Sequence, residues 1–179
     1  MEVQRKSLTQ LFVPICFETL FYMLAGMVDT LMLSSVSDQA VGAVGTANTY
    51  IGVFIIMFGV ISSGMVAVMT QNIGAGKPGI AYQARQLGLL FNAIIGVLMS
   101  VFLAFFSGNI LKIVSIAPAL LEPAETYLKI VGGACFLNAL IPIFSSYLRV
   151  FGYTKQSLFA SVVGNVINFV LNAVFLYVM

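Results

Sequence analysis

Between Asp38 and Lys77 the sequence carries no charged residue. Similar gaps run from Arg85 to Lys112, from Lys129 to Arg149, and from Lys155 to Met179. Leu8 to Val36 is a fifth apolar stretch, interrupted by Glu18 and Asp29. A membrane span needs about 20 mostly apolar residues, so each stretch is long enough to cross a bilayer. Across the whole chain 60% of residues are hydrophobic and 8% charged, against roughly 25% charged in ordinary soluble domains. A soluble domain of this size could not cover so much apolar surface. A disordered chain needs low hydrophobicity and high net charge. A nucleic-acid binder needs a concentrated basic surface, which eight basic and six acidic residues spread along the chain do not supply. The composition leaves an integral membrane protein.

None of the apolar stretches alternates with period two, which argues against a membrane β-barrel. In lipid the backbone must satisfy its own hydrogen bonds, and a helix does so locally. The sequence predicts an all-α bundle of five transmembrane helices near 8–36, 42–69, 86–108, 124–148 and 157–178, forming one domain over 1–179. Ser34–Ala40, Gln71–Gly79, Ser115–Glu122 and Gly152–Gln156 are short links rich in turn residues, so consecutive helices should be antiparallel neighbours. Pro142 should kink the fourth helix and free a backbone carbonyl. Pro14 lies early in the first, where it bends or starts the helix cheaply.

Orientation follows from the basic residues of the links. With the N-terminus in the cytoplasm, Arg5, Lys6, Lys77, Arg85, Arg149 and Lys155 lie inside, and only Lys112 and Lys129 outside. The expected location is the cytoplasmic membrane, multi-pass, with the N-terminus inside and the C-terminus out. A cleaved signal peptide is the competing reading of the first thirty residues. Glu18 and Asp29 interrupt its apolar part, and no small-residue cleavage motif follows.

Catalytic and cofactor motifs are missing. Gly74, Gly76 and Gly79 match G-x-G-x-x-G by letter, but an apolar helix precedes them, Pro78 sits inside, and the next acid is Glu122; a dinucleotide fingerprint needs a strand before it and an acid about 20 residues on. Lys77 is followed by Pro78 rather than Ser or Thr, so there is no P-loop. Without histidine no His-based triad or His metal site exists. Cys16 and Cys135 lie in apolar runs and fit no CxxC or zinc spacing. The expectation is a protein without enzymatic activity, cofactor, catalytic residue or metal, save a candidate Na+.

The informative residues are polar groups at bilayer depth, where acids are expensive and mark function by default. Glu18 and Asp29 are eleven residues apart, about three helical turns, so they share one face at depths about 16 Å apart. Each could exchange a proton, or hold a cation when ionised. For Glu18 a buried structural carboxyl, or one near the inner interface, is an equal alternative to an additional intramembrane acid. For Asp29 the alternative is an acid at the outer interface, although Leu31, Met32 and Leu33 continue the apolar run beyond it. The fifth span carries Ser161, Asn165, Asn168 and Asn172, which fall within roughly 60° of arc. Asparagine offers one acceptor and two donors, so this stripe could hydrogen-bond a protonated acid, coordinate a dehydrated ion, or simply glue helices together. Asn48, Thr49, Asn92, Asn138, Ser145 and Ser146 are weaker candidates. Gly96 and Ser100 suit close helix packing.

These residues resemble the N-terminal part of a multidrug and toxic compound extrusion (MATE) transporter. The matching features are Pro14 with Val28-Asp29-Thr30, then Gln71…Gly74-Ala75-Gly76, then Arg149…Gly152-Tyr153-Thr154-Lys155, and Asn168…Asn172. The resemblance covers essentially all 179 residues. It implies a twelve-helix transporter of two six-helix lobes that exchanges Na+ or H+ for organic, often cationic compounds. It also implies a cation- or proton-binding role for Asp29, with Asn168 and Asn172 at the matching helix positions. Some members carry a second acid where Asn172 stands, so Asp29 would be the sole titrating group there. Five helices are less than one lobe, which points to a fragment, a truncated frame, or one piece of a longer chain needing further helices or a second lobe.

The leading expectation is therefore secondary active multidrug efflux with a coupling-ion site at Asp29, Asn168, Asn172, Asn165 and Ser145, and with Glu18 as an additional intramembrane acid. Its partners would be small-molecule drugs or organic cations, Na+ or H+, and the lipid bilayer, with no nucleic acid. One alternative is a lipid-linked oligosaccharide flippase of the same superfamily, which should show a more basic cavity. The other is a non-transporting membrane assembly subunit.

Overall fold

The computed structural model describes residues 6–177, and for 175–177 the backbone only. Arg5 and the expected helix end at 178 lie outside the described residues. Six helices are present: α1 (Leu8–Ser34), α2 (Asp38–Gly74), α3 (Pro78–Ile113), α4 (Pro118–Gly133), α5 (Cys135–Val150) and α6 (Thr154–Tyr177). α1, α2, α3 and α6 are each long and apolar enough to cross a membrane, and α4 with α5 is so only as a pair, bent by 46° at the break between them.

The helices reach further into the expected links than the charge gaps suggested, because the turns between them need few residues. Gly76 ends α2 with φ +70°. The Lys77 amide bonds Asn72 O at 2.8 Å and the Gly76 amide bonds Ile73 O at 3.1 Å. This is a Schellman stop, which favours glycine at the left-handed position. Pro78 then opens α3, where its missing N–H costs nothing. The apparent G-x-G-x-x-G is thus a helix stop followed by a helix start. Gly152, at φ +81°, ends α5 in the same way, with Tyr153 N to Leu148 O at 2.8 Å and Gly152 N to Arg149 O at 3.0 Å.

Two compact units are distinguished. One comprises the residues up to Val41 together with those from Leu148 onward; the other is Gly42–Tyr147. The second unit is built from α2 beyond Val41, α3, α4 and most of α5. Its core places small residues (Ala43, Ala47, Ala124, Ala139) among fully buried Phe58, Leu103, Leu111 and Leu128. Most other large side chains, such as Val53, Ile56, Leu98, Phe105 and Ile141, are exposed, as expected of helices solvated by lipid rather than water. Asn92 is fully buried and ties three helices: its Nδ2 donates to Ala139 O at 2.9 Å and to Phe58 O at 3.3 Å. The sequence singled Asn92 out only weakly.

The fourth span corrects an expectation. It is two helices, not one kinked at Pro142; Pro142 lies inside α5, and the break falls at Ala134. Gly132 and Gly133 have low helix propensity, so opening the helix beside them costs least. The released donor is also satisfied there, since the Phe136 amide donates to Ser100 Oγ on α3 at 2.8 Å. Gly132 approaches α3 so closely that a Cβ would lie 2.9 Å from Leu103 Cβ. Gly96 is tighter still, with a Cβ 2.7 Å from Ala139 Cβ and 3.1 Å from the Phe136 backbone. Neither neighbour can swing away.

Gly96→Ala should therefore destabilise the protein by about 1–3 kcal/mol. Gly59→Ala, with open space around the new methyl, should be neutral or raise stability by up to about 1 kcal/mol through helix propensity. Thermal unfolding of the two purified variants in detergent measures the difference; equal midpoints would contradict the close packing of α3 on α5.

Candidate functional site

The other unit holds α1 and α6, and they run parallel. Contacts pair Lys6 with Gly152, Gln10 with Thr154, Glu18 with Ser157, and Asp29 with Asn172, in the same order along both helices. α1 opens with a capping box: Ser7 Oγ accepts from Gln10 N at 3.4 Å, and Gln10 Oε1 accepts from Ser7 N at 3.2 Å. Lys6 Nζ donates to Gly152 O at 2.7 Å. Pro14 is buried inside α1 and cannot supply the N–H that Gln10 O would normally receive. The Thr154 hydroxyl at the start of α6 approaches that carbonyl at 3.5 Å.

One turn on, Glu18 is 7% exposed. Its Oε1 accepts from Arg149 Nη2 at 2.9 Å and from Ser157 Oγ at 3.0 Å. Sequence reasoning treated Arg149 as a loop charge and overlooked Ser157. The signal lay in Glu18 itself, because a buried acid demands a cationic or hydrogen-bonding partner.

Three turns beyond Glu18 the half-buried Asp29 meets the polar stripe of α6. Asn172 Nδ2 donates to Asp29 Oδ1 at 2.9 Å. One end of the Asn168 amide lies 3.0 Å from Asp29 Oδ1 and 3.3 Å from Oδ2. The amide has two orientations, and they are not equivalent chemically. With nitrogen toward the acid, Asn168 donates to an ionised carboxylate, but two amide nitrogens then stand 3.2 Å apart. With oxygen toward the acid, Asn168 accepts from Asn172 Nδ2 at 3.2 Å. Oxygen then faces oxygen, and the arrangement is favourable only with a proton on Asp29 or a cation between them. The Asn168 amide can thus present either a donor or an acceptor to Asp29.

Between the Glu18 and Asp29 contacts lies an open, mainly apolar cavity of about 260 Å³, lined by Phe21, Leu24, Val28 and Asp29 of α1 and by Asn165 and Phe169 of α6, among others. Asn165 Nδ2 is buried there without a hydrogen-bond partner. Of the residues singled out from sequence, Asp29, Asn165 and Asn168 line this cavity, and Asn172 bonds Asp29 beside it. Glu18 is held apart in its own contact, and Ser145 belongs to the other unit. Among the described residues no cluster of three or more His, Cys, Asp or Glu could hold a metal ion.

A sequence model of the MatE family matches residues 14–174. The chain belongs to the MatE family. Among its relatives, an uncharacterized transporter of Bacillus subtilis, YisQ, is 34% identical over 96% of this chain and 38% of its own length. The multidrug resistance protein PmpM of Pseudomonas aeruginosa is 28% identical over 99% of this chain and 37% of its own. The structure superimposes on an outward-facing multidrug resistance MATE family transporter with a TM-score of 0.86 and 20% identity, covering 95% of this chain and 38% of that one. The chain thus spans under two-fifths of the length of these MatE relatives. Its all-α architecture, with four to five candidate spans, is consistent with a lobe of a twelve-helix membrane transporter.

The site makes a direct prediction. Asn172→Asp places a second carboxylate within hydrogen-bond range of Asp29, and two like charges there cannot both ionise cheaply. The variant should unfold at lower temperature than wild type at high pH and recover as pH falls, because a proton shared by the two carboxylates relieves their repulsion. A pH-independent difference between the two midpoints would show that residues 29 and 172 do not meet.

Proposed function

We propose that this MatE-family chain belongs to a secondary active exporter of organic, often cationic compounds, driven by inward movement of Na+ or H+ across the cytoplasmic membrane. The single observation that carries this reading is the Asp29 carboxylate engaged by Asn172 and Asn168 beside an apolar cavity. An acid at bilayer depth is retained at a cost, and here it can change partner whenever its charge changes. The multidrug resistance proteins among its relatives support the substrate class. The excess of Lys and Arg in alternate links supports an N-terminus in the cytoplasm.

In this mechanism a proton or Na+ neutralises Asp29 and favours the amide orientation with Asn168 oxygen toward the acid. Release of the proton or Na+ restores the carboxylate charge and leaves Asn168 to donate instead. Each orientation suits a different packing of α1 on α6, so the bound ion biases the equilibrium between inward- and outward-open states. It does so only by its differential affinity for the two. An organic cation beside the cavity competes for the same negative charge, which links ion entry to drug exit.

Asp29→Asn keeps the shape and removes the charge. In cells expressing the intact transporter at unchanged levels, efflux of ethidium should lose its dependence on the Na+ or proton gradient. Coupled efflux at the wild-type rate would refute the role of Asp29.

A further inference from the structure

The Glu18 contact serves no part of the ion exchange just described, yet it is the most deeply buried charged group of its unit among the described residues. It joins three elements: Glu18 in the body of α1, Arg149 in the last turn of α5, and Ser157 in the first turn of α6. Its geometry is not that of a pair retained for stability alone. Arg149 reaches Glu18 through Nη2 only, and both Glu18 Oε2 and Arg149 Nε are buried without partners. A buried pair with unsatisfied atoms is weak evidence of stabilisation, and an apolar replacement of both partners is often neutral or better.

Register is what such a contact supplies. α1 and α6 are apolar around most of their circumference, and lipid tails are as apolar as leucine, so packing alone scarcely distinguishes one axial setting from the next. A slip of one residue moves a helix by about 1.5 Å and turns its side chains by about 100°. Either displacement would part Asp29 from Asn172, which meet at 2.9 Å. The stretch of interface between the two acids borders the open cavity and is mainly apolar, so it adds little directional contact to oppose a slip. We infer that Glu18, held by Arg149 and Ser157, is a positioning residue: a directional pin that sets the register of α1 against α6 so that Asp29 meets the asparagines of α6 three turns away. This rests on the reading of Asp29 as the coupling-ion site only for its effect on transport; the register itself is a structural claim.

The experiment uses the intact transporter with Cys16 and Cys135 replaced by Ala, and has two arms. In the first, Asp29→Cys with Asn172→Cys is oxidised in native membranes, and disulfide formation reports whether the two positions meet. Adding Glu18→Leu with Arg149→Leu, which removes both charges and leaves neither unpaired, should slow this crosslink about tenfold while the protein still folds. In the second arm, with Asp29 and Asn172 intact, the same Leu pair should raise the Na+ or proton concentration for half-maximal ethidium efflux about tenfold, as loss of an outer-shell support does at an ion site. The maximal rate should change much less than the ion dependence. Glu18→Gln, which keeps the shape, should shift the ion dependence in the same direction. Unchanged crosslinking overturns the inference. So does slowed crosslinking with an unchanged ion dependence, provided Asp29→Asn abolishes coupling, because the contact is then only a brace. If Asp29→Asn retains coupling while the Leu pair slows the crosslink, the pin stands and the ion-site reading fails.

Discussion

A carboxylate that must live among apolar side chains, with amides from a second helix as its hydrogen-bond partners, governs this structure. Asp29 has two options at its position in α1. It can be ionised and surrounded by donors, or neutralised and facing an acceptor. Asn172 supplies a fixed donor at 2.9 Å, and Asn168 supplies an end that suits either state. A side-chain amide suits this task because it presents donor and acceptor within one rotation and never titrates. The parallel arrangement of α1 and α6 brings these groups level with one another.

The rest of the unit secures that meeting by polar contacts rather than by apolar fit. The capped start of α1, the Lys6 contact with Gly152 O, the Thr154 hydroxyl near the carbonyl that Pro14 leaves unserved, and the ion pair of Glu18 with Arg149 follow one another up the interface. Directional contacts are the sensible device for helices that lipid solvates as readily as a neighbour does. Within the second unit the same problem is solved differently. Small residues let α3 approach α4 and α5, Ser100 takes up a backbone amide that the broken span exposes, and Asn92 ties α3 to carbonyls of α2 and α5.

Charge gaps made the spans legible, because in a membrane a missing charge over twenty residues has one common cause. The two polar faces were legible from spacing, and the resemblance to the MATE family is what joined Asp29 to the α6 stripe, a pairing seen at 2.9 Å between Asn172 and Asp29. The break at Ala134 was not. Pro142 carries the stronger local signal, yet the helix opens where Gly132 packs on Leu103 and where Ser100 waits as an acceptor, and both depend on α3. The partner of Glu18 was hidden for a related reason: Arg149 reads as a loop charge until the tight Gly152 turn brings the end of α5 and the start of α6 to the same carboxylate. Helix lengths were underestimated at the α2–α3 link, where a Schellman stop and a proline start leave three residues between the helices.

The central claim is that the charge state of Asp29 and the hydrogen bonding of the α6 asparagines change together. Infrared difference spectroscopy of the protein in lipid, with its asparagine side chains isotopically labelled, measures both groups in one experiment as Na+ or acid is added. The account predicts that the carboxylate band and the asparagine amide bands shift with the same midpoint, and that both changes vanish in Asp29→Asn. A carboxylate that titrates or binds Na+ while every asparagine band stays still would contradict it.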